Sequence, residues 1–157
     1  MGTPLQKGDT APDFILYDTD KKPVTLEDVR GKKAVLAFFP GAFTNGCTRE
    51  MCTFRDQLAE FNKLDSQVYG ISVDGPAANK AFTEQNNLNF PILSDFSRDV
   101  SKKYGGVHED FWGIKGYEAA KRSVFVLDEN GTVVYSWITD NPGELPDFDE
   151  LRGVLRT

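Results

Sequence analysis

Two cysteines, Cys47 and Cys52, stand five positions apart in a chain of 157 residues, and the first has the neighbours that a reactive thiol needs. Met51, Phe54, Leu58 and Phe61 recur at helical spacing and form one apolar stripe. Counting back four places from Met51 puts Cys47 on that same face, in the first turn. A helix N-terminus presents unpaired N–H groups and a partial positive charge. Both favour the thiolate, which is the nucleophilic form, so a lowered thiol pKa is expected. Thr44 lies three residues earlier, where a capping hydroxyl can accept from the Cys47 N–H. Taken alone, Cys47 fits an inert buried position in an amphipathic helix at least as well. Pro40, Thr44 and Cys47 together are much harder to assign to chance.

The surrounding elements place this stretch. Residues 33–39 carry the continuous apolar run Ala34-Val35-Leu36-Ala37-Phe38-Phe39, which suits a central strand covered on both faces. Pro40 and Gly41 end it. The Cys47 helix follows over about 45–63, then a strand over Val68–Val73. Asp74-Gly75-Pro76 starts a helix to about Asn87, with Ala78, Ala81 and Phe82 facing inward. Phe90–Leu93 is a short extended piece. Ser94 or Asp95 caps another helix, with Phe96, Val100 and Tyr104 on one face and Gly105-Gly106 at its end. Arg122–Leu127 and Thr132–Ile138 make a hairpin around Asp128-Glu129-Asn130-Gly131. A last helix covers about 147–155. In front, residues 1–11 form an irregular arm, Phe14–Tyr17 an edge strand, Val24–Leu26 another, and Glu27–Arg30 a turn of helix. Residues 107–121 form a long connection whose Phe111, Trp112, Ile114 and Tyr117 pin it to the core, with a wall of the active site or a subunit contact as the alternative.

This order predicts an α/β fold of thioredoxin-like arrangement. A βαβ crossover leads to a ββα unit, the central mixed β-sheet is flanked by helices, and an N-terminal β extension is added. One domain over residues 1–157 is expected. Open α/β sheets carry their sites beyond the carboxyl ends of strands, and Pro40 to Cys47 lies at such an end.

Composition narrows the partners. A net charge of −6 disfavours nucleic acid, which needs a basic surface. No stretch approaches the ~20 apolar residues of a membrane span. The first twenty residues lack an apolar signal core, so a cytoplasmic location is expected. Two cysteines and the single histidine, His108, lack metal-ligand spacing, and neither metal nor cofactor is expected.

Pro40-x-x-x-Thr44-x-x-Cys47, preceded by Phe38-Phe39 and followed by Glu50, resembles the active-site signature of the peroxiredoxins, thiol peroxidases on a thioredoxin-like fold. Arg122-Ser-Val-Phe-Val-Leu-Asp resembles the strand that carries that family's active-site arginine, and Ala-Pro-Asp-Phe within Gly8–Phe14 resembles its opening. Cys52 resembles the resolving cysteine of the bacterioferritin-comigratory (PrxQ) branch. The resemblance implies that Cys47 attacks hydrogen peroxide or an alkyl hydroperoxide and becomes a sulfenic acid. Cys52 then closes an intramolecular disulfide, which a thioredoxin-like reductant opens. Arg122 supplies positive charge, Thr44 hydrogen-bonds thiolate or peroxide, and Pro40 shields the thiolate. Glu50 either orients Arg122 or is an ordinary surface residue. A monomer or a weak homodimer fits the resemblance. The chain stops at Thr157 with no further cysteine, so resistance to over-oxidation is expected.

Because a disulfide spans no more than about 7 Å between Cα atoms, and helical positions five apart are roughly 8–9 Å apart, the helix must open before that bond forms. The alternatives are a one-cysteine peroxiredoxin with Cys52 structural, a thiol-disulfide oxidoreductase, and a non-catalytic thioredoxin-like binding module. Cys-x-x-x-x-Cys rather than Cys-x-x-Cys disfavours the second. A cysteine hydrolase would need His108 as base.

Overall fold

The computed structural model describes residues 4–157, so Met1, Gly2 and Thr3 of the expected arm lie outside the described residues. Everything is arranged about β3 (Lys33–Phe38), because its side chains alternate into two separate cores. Ala34, Leu36 and Phe38 face one core; Val35, Ala37 and, just past the strand end, Phe39 face the other. Such a strand is stable only when both faces are covered. β3 pairs in parallel with β4 (Ser66–Ser72) on one side and antiparallel with β8 (Ser123–Leu127) on the other.

The sheet has seven strands in the order β2-β1-β5-β4-β3-β8-β9, with β1 at Ile15–Tyr17, β2 at Pro23–Thr25, β5 at Ile92–Ser94 and β9 at Val133–Ile138. This is the expected mixed, thioredoxin-like α/β sheet with an N-terminal extension. β1 differs from expectation: it pairs with both β2 and β5, so β2 is the true edge. The described arm is irregular but tied down, with Thr10 bridged to Thr132 and Leu5 N–H donating to Tyr104 O at 3.0 Å.

Helix α2 (Asn45–Lys63) lies on the face of Val35 and Ala37. Met51, Phe54 and Phe61 are fully buried there, each worth about 1.5–3 kcal/mol of transfer free energy. Gly70 allows the helix to sit this close: a Cβ there would stand 2.6 Å from Ile92 and 3.0 Å from Met51 Sδ. α5 (Phe148–Leu155) covers the same face through Leu151 and Leu155, with Asp147 capping it by accepting from Glu150 N–H at 3.1 Å. On the opposite face α1 (Leu26–Val29) is closed by a Thr25–Asp28 capping box, and α4 (Asp99–Lys103) contributes Val100. No described helix is long and apolar enough to cross a membrane.

Two further local expectations fail for identifiable reasons. α3 (Pro76–Gln85) buries Phe82 and the polar Asn79, while Ala78 and Ala81 are exposed. Asn79 goes inward because Ser72 Oγ (3.2 Å) and the Asp74 carbonyl (3.4 Å) bond its amide, which periodicity of apolar residues cannot reveal. α4 starts later than expected, leaving Phe96 outside it and 55% exposed. Asp95 still acts at its front, accepting from Val100 and Ser101 N–H at 3.3 and 2.6 Å. The connection 107–121 is not structureless: β6 (Val107–His108) pairs with β7 (Ala119–Ala120) around a 3₁₀ turn at Phe111–Gly113.

Candidate active site

β3 ends in Phe38, and the chain turns through buried Phe39, Pro40 and Gly41 before α2 begins. Asp74, at the carboxyl end of neighbouring β4, holds this turn by accepting from Ala42 N–H at 2.7 Å and from Ser72 Oγ at 2.8 Å. Phe43 has φ of 68°, a left-handed conformation uncommon for a bulky residue, and its ring packs on Phe82 at 5.4 Å. Thr44 is the N-cap residue, and its carbonyl accepts the first helical bond, from Thr48 N–H at 2.9 Å. Its hydroxyl does not cap the helix, contrary to expectation; it donates to Gly41 O at 2.8 Å. That leaves the first N–H groups of α2 open at the place where Cys47 sits.

Cys47 is 1% exposed. Arg122, immediately before β8, reaches across the sheet end to it, with Nη2 3.4 Å from Sγ. β8 lies beside β3 in the sheet, so the residue preceding Ser123 is set opposite the loop that follows Phe38. The guanidinium is clamped on three sides. Nη1 donates to Glu50 Oε1 at 2.7 Å, and Nη2 also donates to Pro142 O at 2.7 Å. Gly46 lets the arginine in: a Cβ there would lie 3.1 Å from Nη2 and 3.7 Å from Pro142 O. Glu50 is fully buried and faces Arg122, so it is no ordinary surface residue. Residue pattern does not disclose the roles of Gly46 and Pro142, which act through a missing side chain and a backbone carbonyl, or that of Asp74, whose carboxylate holds a turn 32 residues away in sequence.

Electrostatics correct one expectation. Burial pushes the Cys47 thiol above its ordinary 9.0, outweighing Arg122, the Thr44 hydroxyl and the Gly41 N–H, which all pull it down; Glu50 adds to the upward push. The sequence shows the attracting groups but not the dryness of the site. Burial likewise pushes Glu50 up to about 7, against the pull of Arg122. Burial opposes the charge on Arg122, yet Glu50 and Cys47 together keep it held more firmly than an ordinary arginine. One buried cation thus faces two groups competing to be its anion.

Cys52 is half-buried on α2, its Sγ 3.8 Å from Asn86 Oδ1 at the end of α3. Arg55 Nη1 donates to Asn86 O at 2.6 Å, fastening the middle of α2 to the same point. Both thiols are free and α2 is continuous between them. His108 stacks on Phe111 at 5.2 Å, and its Nε2 has no hydrogen-bond partner among the described residues. The ion partner of Cys47 is an arginine, so the hydrolase arrangement is not the one this site presents.

The thiol, guanidinium and open helix end together can stabilise an anionic nucleophile and a departing oxyanion. Known proteins share this frame. The AhpC/TSA family profile matches residues 7–136. A Mycobacterium tuberculosis protein that bears the name peroxiredoxin is 41% identical over 132 residues, 84% of this chain and 84% of that one. The crystal structure of peroxidoxin BcpB from the same organism matches with a TM-score of 0.84 and 30% identity over 97% of each chain. A Xanthomonas campestris bacterioferritin comigratory protein, described for its alkyl peroxide reduction, matches with a TM-score of 0.80 and 25% identity over 91% of this chain and 90% of that one. A thiol held at the end of a central strand, within a fold and sequence shared this widely, leads to one conclusion: the chain belongs to the AhpC/TSA family, as a peroxiredoxin of bacterioferritin-comigratory type.

Proposed function

We propose that Cys47 is the peroxidatic thiol of a thiol-dependent peroxidase acting on hydrogen peroxide and organic hydroperoxides. The observation that carries this is the 3.4 Å approach of Arg122 Nη2 to Cys47 Sγ inside a dry pocket. Burial pushes the thiol's ionisation upward; Arg122, the Thr44 hydroxyl and the Gly41 N–H oppose it and are the groups that carry the charge once the proton leaves. The thiolate attacks the terminal oxygen of R–O–O–H. An S–O bond forms, the O–O bond breaks and its electron pair departs on the second oxygen. Cys47 is oxidised to a sulfenic acid and the peroxide reduced to an alcohol or water. Thr44 has one hydroxyl proton, now on Gly41 O, which rotates to the sulfur or the peroxide. Buried Pro40 keeps bulk water off the sulfur.

Cys52 resolves the sulfenic acid. In the intact helix the two Cα atoms are roughly 8–9 Å apart, so the first turns of α2 open before the disulfide forms. Opening of that kind costs less than global unfolding. A thioredoxin-like protein then reduces the disulfide, in the cytoplasm, with the enzyme acting as a monomer or weak dimer. The continuous α2 and the Cys52–Asn86 contact favour one other reading, in which Cys52 is structural and an external thiol resolves Cys47. Stopped-flow peroxide reduction separates them. Cys47→Ser abolishes the first turnover; Cys52→Ser preserves the first and loses later ones. Sustained turnover in Cys52→Ser supports external resolution, and an unimpaired Cys47→Ser overturns the assignment.

A further inference from the structure

The segment between β6 and β7 brings one more group to the site. Tyr117 is fixed by Phe111 N–H donating to its carbonyl at 2.8 Å and by its own N–H donating to Ile114 O at 3.0 Å. Its ring stands edge-on to Phe111 and Trp112, at 5.5 and 5.9 Å. From there the half-buried phenol points back to the peroxidatic loop, its hydroxyl 3.8 Å from where a Cβ on Gly41 would stand. Gly41 N–H is one of the groups that favour the Cys47 thiolate. The Gly41 carbonyl is already taken by Thr44, and the phenol makes no hydrogen bond to another described residue. A free O–H donor therefore sits beside the Gly41 turn that leads into the Cys47 helix. Burial, then the charges of Asp74 and Cys47, push its ionisation upward, so it stays a donor at neutral pH.

From this placement we infer that Tyr117 is a catalytic residue of the peroxidase reaction, its phenol O–H hydrogen-bonding the leaving oxygen of the hydroperoxide. This rests on the peroxidase reading above. Arg122, Thr44 and Gly41 N–H are the groups set against the sulfur. In the inferred pose the leaving oxygen, one O–O bond beyond the attacked one, is the atom that Tyr117 meets. As the O–O bond breaks, negative charge grows on that oxygen, and the phenol's hydrogen bond strengthens with it. Water supplies the proton that completes the alcohol, and Tyr117 remains protonated.

Such a donor matters more the more basic the leaving oxygen, which gives a test that a packing role would fail. Rate constants for the first oxidation are measured for Tyr117→Phe with tert-butyl hydroperoxide, whose leaving alkoxide is strongly basic, and with peracetic acid, whose leaving carboxylate is weakly basic. Iodoacetamide alkylation of Cys47 reports the thiol alone. The expected result is about a tenfold loss with tert-butyl hydroperoxide, the worth of one hydrogen bond to a charged group, with peracetic acid and alkylation within twofold of wild type. Equal losses with both peroxides, a fall in alkylation, or no loss at all overturns the role. A wild-type enzyme inert to both peroxides overturns the peroxidase reading itself.

Discussion

Replacing Glu50 by Gln should make Cys47 more acidic. The side chain is fully buried and accepts from Arg122 Nη1 at 2.7 Å through Oε1. An amide oxygen accepts the same bond, so the guanidinium keeps its place while the competing negative charge is lost. Glu50 follows Cys47 by three places on α2, which sets the groups about 6 Å apart. At that separation and an effective dielectric of 20, a unit charge contributes about 3 kcal/mol. This is about two pH units in the midpoint of the thiol titration. Burial of both groups limits screening by salt. Cys47 titrates above its ordinary 9.0 and Glu50 near 7, so Glu50 is ionised over the whole range in which Cys47 loses its proton. The assay is the pH dependence of Cys47 alkylation in a Cys52→Ser background, which leaves one thiol to report. A midpoint one to two units below the parent is expected. An unchanged or higher midpoint would refute the view that Glu50 and Cys47 compete for one cation.

Three further outcomes follow from the same contacts. The Glu50 carboxyl is raised from its ordinary 4.5 to about 7, so the folded state keeps a proton that the unfolded chain gives up. Its contribution therefore falls as pH rises from about 4.5 to 7, on the order of 3 kcal/mol; urea titrations should show this slope vanish in Glu50→Gln, and a persisting slope assigns it elsewhere. Gly46→Ala places a methyl 3.1 Å from the clamped Arg122 Nη2, so the first-turnover rate should drop at least tenfold with circular dichroism unchanged, whereas a wild-type rate means the arginine yields freely. Arg55→Met removes the 2.6 Å bond to Asn86 O that holds the middle of α2; losing ~1 kcal/mol of restraint should speed Cys47–Cys52 disulfide formation about fivefold, as followed by quenched mass spectrometry, and an unchanged rate places the opening step outside this contact.

Much of this was legible in the residues. The apolar run of β3, the stripe of α2 and the hairpin at Asp128–Gly131 are periodic or turn-coded, and local pattern alone fixes them. Cys47 and Arg122 could be named from motif resemblance, and β3 and β8 lie side by side to bring them together. What pattern did not disclose depends on three-dimensional closeness. The ionisation of Cys47 turns on how dry the pocket is. Asn79 is buried by partners five and seven residues away, and Gly46 matters only because of what would collide with it. The aromatic connection hid its role because Phe111 is buried and Trp112 exposed, while Tyr117 turns toward Gly41; composition does not distinguish the three.

The most direct measurement is the rate of the first peroxide turnover in Arg122→Met, with the reduced thiol content verified. If Arg122 carries the charge of Cys47 and of the bond-breaking state, the rate falls a hundredfold or more, the usual loss on removing one preorganised donor from a developing anion. A rate within threefold of wild type would contradict that role, and with it the peroxidase chemistry assigned to this pair.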